Sequence, residues 1–239
     1  MRRAVKVAAI TLLALGLSWA AVPAAGNAVR TAWTLVGWNN LGMHCMDADY
    51  SVFSILPPFN TIHAQLIDPS GLLVTNPAAR GVSVTYQGVA DPALSINRTS
   101  AGKTNFWDWV KPLYGAAVPV DMGLAGHAMP GASNVPQPMD FDPASGWFIA
   151  AGIPITPVDD AFAANPYPLM HLVAKDTAGN VLATTDIVLP VSAEMDCRAC
   201  HSSGSAPAAR PARGWVGDAN SQRDYRLNIL LVHDDRQLG

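Results

Sequence analysis

Only three cysteines occur in 239 residues, too few and too unevenly placed for a disulfide framework to be the main support of a fold. Charge is scarce as well. Charged residues make up 14% of the chain, against roughly a quarter in an average soluble protein. The formal net charge of −3 and the scatter of Lys and Arg leave no basic stripe to track a phosphate backbone, which excludes nucleic acid as the expected partner. Long apolar runs are missing after the first thirty residues, so nothing there reads as membrane-spanning. What the chain does have is hydrophobic side chains, 50% of the total. That is enough for a sizeable core, and the length suits one generous domain or one domain with an appendage.

The first residues read as an export signal. "MRRAVK" supplies a positive region, "VAAITLLALGLSWAAV" an apolar run and "PAAGNA" small residues at which a peptidase can cut. A signal peptide over 1–28 follows, with the mature chain starting between Ala25 and Val29. The apolar run approaches the ~20 residues that span a bilayer, so membrane association is expected only if the signal stays uncleaved. The expected location is the bacterial periplasm or the exterior.

Residues 30–192 read as mainly β, a β-sandwich-like domain of short strands and turns. In "TIHAQLID", Ile62, Ala64 and Leu66 alternate with Thr61, His63 and Gln65, which puts the first set inward and His63 toward solvent. "DPSG" turns the chain through Pro69 and Gly71. "GVSVTYQG" alternates likewise through Val82, Val84 and Tyr86. "PLMHLVAKDTAGNVLATTDIVLPV" predicts a hairpin around "DTAGN", with His171 packed in the core because both faces of its strand are apolar. One short inserted helix is predicted in "KTNFWDWVKPLYG", capped by Thr104 or Asn105, limited by Pro112 and stopped by Gly115. Its tryptophans read as core packing rather than a sugar platform. The Gly- and Pro-rich stretch from 119 to 146 reads as loop, with His127 exposed.

The character changes after Val191. A small-residue, Pro-rich connector at 202–214 precedes "DANSQRDYRLNILLVHDD". That stretch predicts an amphipathic helix starting near Asp218 or Asn220, with Tyr225, Ile229 and Val232 at helical spacing and Leu227, Leu230 and Leu231 beside them. Residues 193–239 thus form a small C-terminal helical segment.

Within it, Cys197, Cys200 and His201 form C-x-x-C-H, the attachment motif of a c-type haem. Two thiols must reach the two vinyl positions along one porphyrin edge while the adjacent imidazole reaches the iron. At this chain's own Cys and His frequencies such a triad arises by chance in roughly one chain in a thousand. The rival readings are weaker. A thioredoxin-like pair needs an α/β junction, and zinc needs about two further ligands, usually a second Cys pair, where only Cys45 remains. A plain disulfide is the third. The expected cofactor is therefore one covalent haem c, with His201 as the proximal iron ligand. For the distal ligand His233, at the end of the predicted helix, ranks first and His44 second. A methionine, Met43 or Met46, ranks third, and Cys45 reads as a small buried hydrophobe.

Four stretches, "GWNNLGMHCMDADYS" (37–51), "TNFWDWV" (104–110), "MDCRACH" (195–201) and "DYRLNILLVHDD" (224–235), make the chain resemble the N-terminal part of secreted bacterial multihaem c-type cytochromes. The resemblance implies a β-rich leading region joined to haem-bearing chain. Only one C-x-x-C-H occurs here, so conduction along a row of haems does not carry over.

The expected function is electron transfer with a redox partner protein or a further haem-bearing chain. Enzymatic haem chemistry would need an open iron site, and the chain is not expected to be an enzyme. A second reading makes the β region a binding or assembly module of a truncated multihaem cytochrome. "DAD" at 47–49 fails as a calcium loop, with Val52 at its sixth position and Pro58 at its twelfth. The sequon "NRT" at 97–99 carries little weight in a chain whose signal and haem motif look bacterial.

Overall fold

The computed structural model describes residues 32–193 and 197–238; the expected signal peptide at 1–28 lies outside them. The described chain is mainly β. Its elements are β1 (Thr34–Asn39), β2 (His44–Cys45), β3 (Asn60–Ile67), α1 (Pro77–Arg80), β4 (Val82–Val89) and α2 (Phe106–Tyr114). After these come β5 (Gln137–Pro138), β6 (Asp140–Asp142), β7 (Trp147–Ile153), β8 (Leu169–Asp176), β9 (Val181–Val188) and β10 (Val191–Ser192). Two helices, α3 (Cys197–His201) and α4 (Ser221–Gln237), complete the chain, with a single 3-10 turn at Pro207–Ala209 between them.

Two four-stranded antiparallel sheets dominate, in the orders β1-β3-β7-β6 and β5-β4-β8-β9. A short parallel pair joins β10 to β2, with Val191 opposite His44 and Ser192 opposite Cys45. The alternation in the sequence decides which side chains point into the core. Ile62, Ala64 and Leu66 of β3 are fully buried, as are Tyr86 of β4 and Met170, Leu172 and Ala174 of β8, and all join one hydrophobic cluster. Each large apolar side chain so buried contributes roughly 1.5–3 kcal/mol. β1 closely approaches β8 and β9 at Gly37, where an added Cβ would lie 2.8 Å from Leu172 Cδ2 and 2.9 Å from Ile187 Cγ2.

The same five-residue turn recurs four times, starting at Asp68, Asp91, Asp159 and Asp176. In each, the aspartate carboxylate accepts backbone N–H groups two and four residues on, so a local side-chain bond replaces the ladder where the chain reverses. The fourth residue takes positive φ, as glycine at Gly71 and Gly179 but as Leu94 and Phe162 in the other two.

Three histidine expectations are corrected. His63 does not face open solvent: it is buried (8% exposed), wedged between Trp38 and Trp147 on the outer face of the first sheet. His171 is not in the core; its ring is partly exposed and its Nδ1 lies 2.5 Å from Asp186 Oδ1 on the neighbouring strand. His127 is mostly covered, with Nδ1 against the Ala151 backbone and Nε2 3.5 Å from Asp140. Its loop is closely packed where Gly123 meets the Gly152 carbonyl with no room for a Cβ, and β5 and β6 turn part of the expected 119–146 loop into strand.

The inserted helix forms as α2 and stops at Gly115, whose φ of 68° lets the chain leave the helix. Asn105 precedes it without capping it; its amide instead bridges Asp49 and the Tyr50 N–H. Phe106 and Val110 are buried and Trp107 donates to the Met122 carbonyl at 3.1 Å, whereas Trp109 remains exposed. Asn97 of the sequon is fully buried.

Candidate functional site

The C-x-x-C-H residues form α3, a single helical turn. Cys197 is partly covered and Cys200 exposed; neither is in a disulfide, and Cys45 is also free. Cys45 is exposed, against the expectation of burial, because β2 is only two residues long and pairs on one side. The imidazole of His201 makes no hydrogen bond among the described residues, and its Nδ1 is buried without a partner. His44, His127, His171 and His233 each have a ring nitrogen beside a partner, whereas Nδ1 of the buried His63 shares with His201 the lack of one. Two free thiols and an uncommitted imidazole thus share one turn.

That turn is held from outside itself. The Asn228 side-chain amide of α4 donates to the His201 carbonyl at 2.9 Å and to Ser203 Oγ at 3.1 Å, and its carbonyl accepts from the Val216 N–H at 2.9 Å. The Asp224 carboxylate accepts from the Ser203 N–H at 2.7 Å, from the Ser203 hydroxyl at 2.6 Å and from the Asp218 N–H at 3.0 Å. Burial pushes the Asp224 carboxyl up, but these donors outweigh it and hold it below the usual carboxylate range. The connector expected to lack a core of its own is therefore pinned to α4 by two buried polar side chains.

α4 begins as predicted, with Asn220 capping through the Gln222 N–H. The face it buries differs from the expected one. Asp224, Tyr225, Arg226 and Asn228 are buried, whereas Leu227, Ile229, Leu231 and Val232 are half-buried and Leu230 is exposed. Polar partners on the connector and on the β region compete for the helix more strongly than a short apolar stripe does.

Arg226 makes the link to the β region. Its side chain is 1% exposed and that of Asp47 2%, with Nη2 3.1 Å from Asp47 Oδ1. Nη1 donates to the Phe53 carbonyl at 2.8 Å, and the guanidinium lies 5.0 Å from the Phe53 ring centre and 5.2 Å from that of Tyr225. Asp47 Oδ2 accepts from the Ile55 and Leu56 N–H groups at 2.8 and 3.0 Å and from Ser54 Oγ at 3.1 Å. None of Asp47, Arg226, Asp224 and Asn228 was singled out as a site residue from sequence. For Asp224 and Arg226 the signal available was charge placed inside an apolar helical pattern; for Asp47 and Asn228 there was none.

The candidate distal ligands are dispersed. His233 lies on α4 with a side chain 63% exposed, its Nδ1 3.3 Å from Asp234. His44 is buried, with Nε2 3.0 Å from Asn40 Oδ1; burial lowers its pKa, and a bond to the Phe59 backbone offsets this in part. Met43 is exposed and Met46 belongs to the core. Among the described residues no three His, Cys, Asp or Glu side chains gather as a metal-holding group.

No family model matches this chain, and a search of the curated proteins finds no match either. The chemistry of the turn rests on its own residues. They fit a c-type haem: neither thiol is in a disulfide, with Cys200 exposed and Cys197 partly so, the imidazole next to them makes no hydrogen bond among the described residues, and the half-buried Ile229 of α4 stands beside Cys197.

Proposed function

We propose that the protein is an exported c-type cytochrome carrying one covalent haem and acting in electron transfer. The observation that carries this reading is the α3 turn, where Cys197 and Cys200 are free and His201 has no partner among the described residues. Cys197 and Cys200 would hold the haem through thioethers and His201 would be the proximal ligand. When bound, haem supplies a one-electron ferric/ferrous couple whose potential follows from axial ligation, burial and hydrogen bonding. Export to the periplasm or beyond places haem attachment outside the cytoplasm, and the partner would be a redox protein or a further haem-bearing chain. The two facing sheets are read as a β-sandwich against which the C-terminal segment docks.

His233 is the first candidate for the distal position, because its ring is exposed and only a contact with the adjacent Asp234 would have to open. His44 would first have to give up its bond to Asn40. Expression of the full chain with a bacterial c-type maturation system tests the reading. Haem that stays on the polypeptide after denaturation supports it; colourless protein with stoichiometric zinc overturns it. Replacing His233 and His44 separately by Ala identifies the distal ligand, because only loss of the true one converts a low-spin spectrum.

A further inference from the structure

Cys197 faces a small crevice of about 10 Å³ whose apolar lining comes from two parts of the chain: Phe53 and Ile55 from the loop after β2, Tyr225 and Ile229 from α4. The crevice holds no more than about one water, so these side chains form a wall rather than an empty pocket. Ile55 is 56% exposed beside it. One carboxylate orients both halves of this wall. Asp47 Oδ2 takes the Ile55 N–H at 2.8 Å, while Asp47 Oδ1 takes Arg226 of α4 at 3.1 Å.

We propose that Phe53 and Ile55 of the β region, with Tyr225 and Ile229, are part of the haem seat, and that Arg226 is the positioning residue that brings α4 and the β region together there. This rests on the haem reading above. A group tethered through a thioether to Cys197 cannot leave the neighbourhood of this wall, and an exposed isoleucine at its rim is apolar surface for that group to cover. The geometry also gives the β region a task in tuning the cofactor, since burial of a haem edge is one of the levers on its potential.

The test uses the full chain matured with haem, as wild type and as Ile55→Ser, Arg226→Lys and Arg226→Met. Ile55→Ser changes an exposed side chain and keeps the backbone bond to Asp47, so the haem-free chain is expected to melt where the wild type does. Its reduction potential is expected to fall, because water at the haem edge favours the more highly charged ferric state. Arg226→Met is expected to shift the potential and the visible spectrum, with Arg226→Lys recovering part of the shift. An Ile55→Ser protein that is red and has the wild-type potential overturns this proposal alone; wild type that takes up no covalent haem overturns the haem reading with it. Should Arg226→Met fail to fold, the Ile55→Ser comparison still decides.

Discussion

Replacing Arg226 by Met in the haem-free chain removes one partner of an ion pair whose side chains are 1% and 2% exposed. Breaking such a buried pair from one side typically costs about 3–5 kcal/mol, because the charge left behind is uncompensated. Here the remaining carboxylate keeps three donors, from Ser54, Ile55 and Leu56, so the lower end, about 3 kcal/mol, is expected. In a chain of this size that is a fall in melting temperature of roughly 6–12 °C. Asp47→Asn leaves the guanidinium with the Phe53 carbonyl and two ring faces, and Nε of Arg226 already lacks a partner. It is expected to cost at least as much. The double substitution is expected to cost less than the sum of the two by about 1–3 kcal/mol, the range of directly interacting pairs. Urea titrations of the four proteins followed by far-UV circular dichroism measure this cycle. A single Arg226→Met change worth under about 1 kcal/mol, or strict additivity in the double variant, would refute the claim that this pair joins the C-terminal segment to the β region.

Gly123→Ala places a Cβ 1.9 Å from the Gly152 carbonyl oxygen, a backbone atom that cannot swing aside, whereas Gly37→Ala meets only the ends of Leu172, Ile187 and Thr185. Gly123→Ala is expected to lose 3 kcal/mol or more and Gly37→Ala about 1–2 kcal/mol; equal losses in thermal melts would count against the packing described. The buried rings of His44 and His63 both have lowered pKa values, through desolvation first in each case. The folded state therefore resists protonation, so the stability they contribute is complete above the unfolded value near 6.5 and is lost as pH falls from there toward the folded values. Urea midpoints are expected to drop between pH 7.5 and 5, with a shallower drop in His63→Phe; an unchanged slope in that variant would remove His63 as a cause.

Strand positions were legible where a local period carries the information. Ile62, Ala64 and Leu66 point inward because alternation is a property of eight consecutive residues, and Asn220 and Gly115 bound helices because caps act within one turn. Side chains whose surroundings are built by distant strands were not legible. Alternation correctly sends His63 to the outer face, but that face is closed by Trp38 of β1 and Trp147 of β7. His171 sits on a strand with two apolar faces, yet its neighbour across the ladder is Asp186, and pairing register is not written in either strand alone. The C-x-x-C-H turn was legible as a motif, while the groups that hold it were not. Arg226 and Asp47 are 179 residues apart.

The stretches 37–51, 104–110 and 224–235 meet in one place. Asp49 and Tyr50 from 37–51 bond Asn105 at the start of α2, and Tyr50 meets Phe106 edge-on at 5.2 Å between ring centres. Asp47, two residues earlier, holds Arg226. These residues therefore build a joint between the β region, α2 and α4, beside Cys197. Burying two charges in such a joint adds little net stability compared with apolar packing, and its best-supported use is to fix which surfaces meet and in what register. A β region acting as an independent binding module has no need of a fixed register with the segment behind it. Under the proposed haem reading, the α3 turn would have to face a particular wall, and a fixed joint fits that proposal better than it fits an independent module.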